Sequence, residues 1–290
     1  MMKLLLFLTL SAFAGEPSDI KARAEAVVAI DRNRAGGDAV IAKIADSFKL
    51  IRDEELESHR LKGYDTRTLE VLFEAVSAAS EHMPRPESLK VLEGIFNECL
   101  SRGYYGEMPD RLYSHYIAQR LWAKARGLNE RFPREPRALP NVVEPAHIPD
   151  GIPAVYEVSE DGKTLTYKRI ELAGPIIISA VSPGCHFSAD AVGLIEADPK
   201  LSAIFRDHAV NIEAAPYDID AAEIARVNRK GRFRYDILYK GSAWKGFDFS
   251  TTPRFYFVKD GKIIAHMTGD TAPSEFKRKL AESIKRIGLQ

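Results

Sequence analysis

One stretch of this chain joins residue types that could do thiol chemistry: Ser182-Pro183-Gly184-Cys185-His186-Phe187-Ser188. The Pro-Gly pair breaks a β-branched run, Ile176 to Val181, and a helix is expected to begin around Cys185. The first turn of a helix presents unpaired N–H groups and the positive end of the macrodipole, and both favour a thiolate. A cysteine held there can fall from about 8.5 into the range where it is partly ionised and nucleophilic at neutral pH. His186 adds positive charge when protonated. Ser188 has two readings open: its hydroxyl donates a hydrogen bond to the thiolate, or it only caps the helix. The other cysteine, Cys99, shares an apolar helical stripe with Leu89, Leu92, Ile95 and Phe96, the setting of an inert core thiol. Two cysteines in 290 residues do not make a disulfide scaffold.

Other chemistries fit less well. Cys185, His186 and His208 or His266 do not have the spacing of a ligand cluster, so neither metal nor cofactor is expected. Lys plus Arg equals Asp plus Glu at 41 each, which gives nucleic acid or an anionic membrane surface nothing to recognise.

The elements that must position Cys185 follow from hydrophobic periodicity. Residues 154–290 alternate strand and helix patterns. Val155–Val158 and Thr164–Tyr167 flank Glu160-Asp161-Gly162 as a hairpin. The strand before Cys185 is a continuous apolar run, and Asp198-Pro199 interrupts the helix that follows. Val210, Ile212 and Ala214 alternate as a strand, and residues 221–229 form a short helix. Phe255–Val258 and Ile263–His266 flank an Asp260-Gly261 turn, and a closing helix carries Phe276, Leu280, Ile284 and Ile287 up to Gly288. A mixed sheet flanked by helices is expected. The aromatic stretch Phe233–Ser250 is read either as a wall near Cys185 or as a cover for a sheet edge.

Residues 18–132 are helical in pattern throughout. Amphipathic stretches run over 19–33 and 38–59. Asp65-Thr66 opens a helix with Leu69, Leu72, Phe73 and Val76 on one face, and Pro86-Glu87 opens the next. Pro109 begins another with Leu112, Tyr116 and Leu121 in register. An all-helical array is expected, without a clean 34-residue repeat. Six prolines between Pro133 and Pro153 then mark a stiff linker over 133–153. At the start of the chain, Lys3, the apolar run Leu4–Leu10 and Ala12-Phe13-Ala14 have the layout of a secretory signal peptide over 1–14. This gives the expectation of a periplasmic or secreted protein. No other apolar run approaches the length of a membrane span.

The segment Pro183–Ser188 resembles the active-site turn of the thioredoxin superfamily, in which two cysteines flank two residues. Thr251-Thr252-Pro253 before a strand, followed by the Lys259–Lys262 turn, is similar to that family's cis-proline loop and terminal hairpin. The resemblance covers residues 154–290. It implies a thioredoxin-like α/β domain, a cis Thr252–Pro253 bond beside Cys185, and Thr252 and Pro253 shaping a substrate groove. Its implied partner is a protein thiol or disulfide. The sequence departs from the family at the resolving cysteine, where Ser188 stands. A Cys-x-x-Ser site can attack a disulfide but cannot release the product by closing its own. A peroxiredoxin-like site would want a proline where Ile178 stands. Two functions remain in view: a monothiol exchange protein acting through Cys185, and a non-catalytic thioredoxin-fold binding module whose helical domain binds a partner.

Overall fold

The structure, a computed structural model, describes residues 19–33, 37–83, 86–133, 139–214, 217, 219–269 and 272–289. The expected signal segment, residues 1–14, and Pro136 of the expected linker lie outside them. Two compact units divide between Leu112 and Tyr113.

The first unit is helical, with α1 Ile20–Arg32, α2 Gly37–Phe48, α3 Ser58–Leu61, α4 Thr66–His82 and α5 Pro86–Ser101. Asp65 caps α4 by accepting the Thr68 amide at 2.7 Å. The buried stripe of Leu69, Leu72, Phe73 and Val76 lets α4 pack against α1, α2 and α5. The amphipathic stretch over 38–59 is not one helix. It stops at Phe48 and re-forms as a 3₁₀ turn, Asp53–Leu56, and then as α3. The cause is tertiary. Arg23 of α1 donates to the Leu50 carbonyl and pairs with Glu55, 2.7 Å from its Oε1. Burial pushes the Glu55 carboxyl up, but hydrogen bonds from Arg23 and Arg52 win and hold it at about 2.

The chain passes through α6, Met108–Ala118, across the division and into the second unit. The helix expected to carry Leu121 ends early: Arg120 adopts a φ of 60°, and α7 runs from Trp122 to Arg131. The Arg120 guanidinium is buried and donates to the carbonyls of Ile117, Leu238 and Tyr239, and satisfying three buried acceptors repays the strained backbone.

The second unit is built on eight strands: β1 Asn141–Val143, β2 Ala154–Val158, β3 Thr164–Arg169, β4 Pro175–Ala180, β5 Ala209–Glu213, β6 Tyr235–Leu238, β7 Arg254–Lys259 and β8 Lys262–Thr268. Helices α8 His186–Glu196, α9 Pro199–His208, α10 Ala221–Lys230 and α11 Pro273–Ile287 complete it. The strand order is β1-β3-β2-β6-β5-β4-β7-β8. β4 pairs parallel with β5 and antiparallel with β7, and β7 pairs antiparallel with β8. This is the mixed sheet expected of a thioredoxin-like core.

Two strands differ from the sequence expectation. Part of the proline-rich segment forms β1, a short edge strand beside β3, where prolines on either side are tolerated. That segment therefore belongs to the second unit, whereas the sequence places a linker there. Within the aromatic stretch, β6 is a central strand between β2 and β5. The rest of that stretch covers a sheet face: Trp244, Phe247 and Phe249 pack in one cluster with Tyr256 and Val258, with Trp244 edge-on to both Phe rings and Phe247 edge-on to Tyr256. On the opposite face Phe255 meets Phe205 of α9 and Phe276 of α11. The Asp260-Gly261 turn has positive φ at both residues, 50° and 76°, as a two-residue hairpin requires. Among the described residues, no helix is long and apolar enough to cross a membrane.

Candidate functional site

The site is made where β4 ends and α8 begins. The buried Ile177, Ile178 and Ala180 fix β4 in the sheet, and Val181 extends it by donating to the Ile212 carbonyl. The chain then turns sharply, with the Cys185 amide bonded to the Ser182 carbonyl at 3.1 Å. Cys185 is the N-cap of α8, in extended conformation, and its carbonyl accepts the Ala189 amide at 2.9 Å. The thiol therefore sits at the open end of a three-turn helix.

Cys185 is half-buried and its sulfur lies 3.7 Å from the Thr252 carbonyl oxygen. Thr252–Pro253 is a cis peptide bond, as the resemblance implies, and Pro253 is buried. The structure thus brings together three of the expected site residues, Cys185, Thr252 and Pro253, from segments 67 residues apart. Burial raises the Cys185 thiol. The Ser188 amide, the side chains of Thr252 and Ser188, and the Phe187 amide act against it and carry the thiol below its ordinary value.

Ser188 is fully buried in the first turn of α8, and its hydroxyl accepts the Ser182 amide at 3.2 Å. It therefore ties the strand-to-helix turn while also bonding toward the sulfur, and Cys185 itself holds the capping position. His186 is exposed, and its ring lies on Phe187 with centroids 3.9 Å apart. Phe187 is 48% exposed, among the most exposed large apolar residues described. An aromatic pair thus flanks the thiol on the solvent side.

The loop that carries Thr252 is held by residues the sequence reading did not single out. Tyr256 donates its hydroxyl to the Asp248 carbonyl and accepts the Asp248 amide, at 2.8 and 2.7 Å. The Asp248 carboxylate takes the Ser250 amide and pairs with Arg254. The only sequence signal for this clamp is a charged residue, Arg254, two before Tyr256 at the head of the apolar run Phe255–Val258.

Cys99 lies in α5 of the other unit, fully buried, and both cysteines are free. Burial pushes the Cys99 thiol up to about 11. Among the described residues no group of three His, Cys, Asp or Glu side chains could hold a metal.

No family model matches this chain, and no curated protein does. Among solved structures, a thioredoxin-like protein from Bacteroides caccae aligns over 96% of this chain and 99% of its own. The identity is 12% and the TM-score 0.32. The class of the second unit is read from its own strand order and from the meeting of Cys185 with the Thr252–Pro253 loop: a thioredoxin-like α/β fold following a helical unit.

Proposed function

We propose that this chain is an exported thiol–disulfide exchange protein that works through the single thiol of Cys185. The observation that carries the reading is Cys185 capping α8 with its sulfur 3.7 Å from the Thr252 carbonyl. In the first step the Cys185 thiolate attacks one sulfur of a partner's disulfide. A new S–S bond forms as the old one breaks, and the partner's other sulfur leaves as a thiolate. In the second step a thiolate from outside the site, on the partner or on a small thiol, attacks the partner sulfur of the mixed disulfide. The partner keeps the new disulfide and Cys185 departs as thiolate. Electrons balance: over the two steps one disulfide is consumed and one is formed. Thr252 and Pro253 border the groove, and His186 and Phe187 offer it an aromatic rim. The residue 1–14 signal segment directs the protein to the bacterial periplasm, where disulfides persist. The helical unit supplies partner recognition.

The test is trapping. The purified full chain, mixed with a disulfide-bearing protein, is expected to accumulate a reducible covalent adduct seen on a non-reducing gel. Ser188→Cys creates a second thiol beside the first and is expected to shorten the adduct's life and raise turnover in a reductase assay. No adduct from the wild type, together with no gain from Ser188→Cys, would sink the reading.

One observation favours a second reading, a thioredoxin-fold binding module without turnover. Ser188 is fully buried and its hydroxyl accepts the Ser182 amide, so the turn is held without a second cysteine. A Cys185 thiol that alkylates no faster than a free cysteine at neutral pH would select this second reading.

A further inference from the structure

The end of β8 meets the Thr252 loop at a point with no room for a side chain. Gly269 follows directly after β8, and its amide bonds the Pro253 carbonyl at 3.1 Å. A Cβ built on Gly269 would lie 2.4 Å from Pro253 Cγ, 3.3 Å from Pro253 Cβ and 3.2 Å from Ala191 Cβ of α8. Carbon atoms rest at about 3.5–4.0 Å, so the first contact is a clash with a rigid ring. Gly269 does not have a positive φ, unlike Gly246 or Gly261, so backbone freedom is not what calls for glycine here. What calls for it is the close approach of three segments: the β8 end, the Pro253 loop and the helix that Cys185 caps.

These contacts form one mechanical chain. Ala191 is buried on α8, six residues after Cys185, and Thr252 is the residue whose carbonyl lies over the sulfur. The other side of the loop is fixed by Asp248 with Tyr256 and Arg254, so a side chain at Gly269 would press on Pro253 and on Ala191 of α8.

Resting on the reading of Cys185 as the working thiol, we propose that Gly269 is a positioning residue of the site. Its bare Cα lets Pro253 seat against α8 and so sets the distance between Thr252 and the Cys185 sulfur. Gly269 touches no reacting atom and acts through the loop.

The test is the pH profile of Cys185 alkylation by iodoacetamide in the full chain, followed peptide by peptide so that Cys99 is counted separately. In Gly269→Ala, Thr252 is displaced, and the hydrogen bond from its side chain that helps hold the Cys185 thiol down is lost. The titration midpoint is expected to move up by about one pH unit, and the rate at neutral pH to fall about ten-fold. Gly193→Ala is the control, because Gly193 lies on the same helix with nothing within 4 Å of a built Cβ. It is expected to titrate as wild type. A folded Gly269→Ala protein with the wild-type profile overturns the proposal. Should Gly269→Ala not fold, Ala191→Ser adds one heavy atom to the same contact from the α8 side, and an unchanged profile there overturns it equally. Trapping is scored on the wild type alone. Its failure would remove the exchange reading and leave the positioning result standing, and the reverse also holds.

Discussion

The two cysteines of this chain make a natural experiment in environment. Cys99 lies mid-helix in α5 among Leu92, Ile95 and Phe96, with no exposure, and burial raises its thiol to about 11. Cys185 caps α8, half-exposed, and the hydrogen bonds around its sulfur bring the thiol below the ordinary value despite burial. Desolvation opposes ionisation at both positions. Only Cys185 has donors to set against it, because a helix leaves its amides unpaired at the N-terminus and pairs them in the middle. Placement within a helix, rather than residue type, separates a thiol held below its ordinary value from one pushed above it.

The contrast can be broken most completely by deletion. Cys185→Ala is expected to abolish mixed-disulfide adducts in the trapping assay, and Cys99→Ala to leave them at wild-type yield. Adducts that follow Cys99 instead would reverse the assignment of the two thiols. Next in size is reactivity in the wild type: a brief pulse of iodoacetamide at neutral pH should label Cys185 at least about a hundred-fold faster than Cys99. In denaturant the two should label alike, and intact mass reports one adduct per chain before unfolding and two after.

Smaller effects sharpen the same point through stability. Because the folded-state thiol of Cys99 titrates at about 11 and an ordinary thiol at 9.0, the unfolded chain loses its proton first as pH rises. The folded state is therefore favoured fully below pH 9.0, and that contribution falls away as pH climbs towards 11. The slope is about 1.4 kcal/mol per pH unit at most. Cys99→Ala should remove that slope while lowering stability at neutral pH by about 1 kcal/mol through the vacated volume, and denaturant melts at pH 7 and pH 10 measure both. Ser188→Ala has the smallest expected cost, also about 1 kcal/mol or less, from the Ser182 amide left without its acceptor. It should be accompanied by a rise in the Cys185 titration midpoint, since the same hydroxyl bonds the sulfur.

Much of this molecule could be read from local chemistry. The β-branched run before Ser182-Pro183-Gly184, the helix after it, the Asp198-Pro199 break and the Asp260-Gly261 turn all stand where the residue pattern places them. So does the buried stripe around Cys99. Each of these depends on neighbours within a few positions, and short-range backbone preference and periodicity are properties of the sequence alone.

What tertiary structure decided depended on contacts between distant segments. Arg120 stops the helix that Leu121 was expected to join, because carbonyls at Leu238 and Tyr239, more than 110 residues away, need its guanidinium. Glu55 and Arg23, 32 residues apart, break the stretch over 38–59. β6 is hidden in an aromatic-rich segment because a central strand is defined by partners on both sides, and its partners β2 and β5 precede it in the chain. The placement of Thr252 over Cys185, and the lack of a side chain at Gly269 that permits it, belong to the same class. Sequence determined which residue could be the thiol; only the packing of β8, the Pro253 loop and α8 decided what the thiol meets, since close approach is a property of pairs of surfaces and no single segment encodes it.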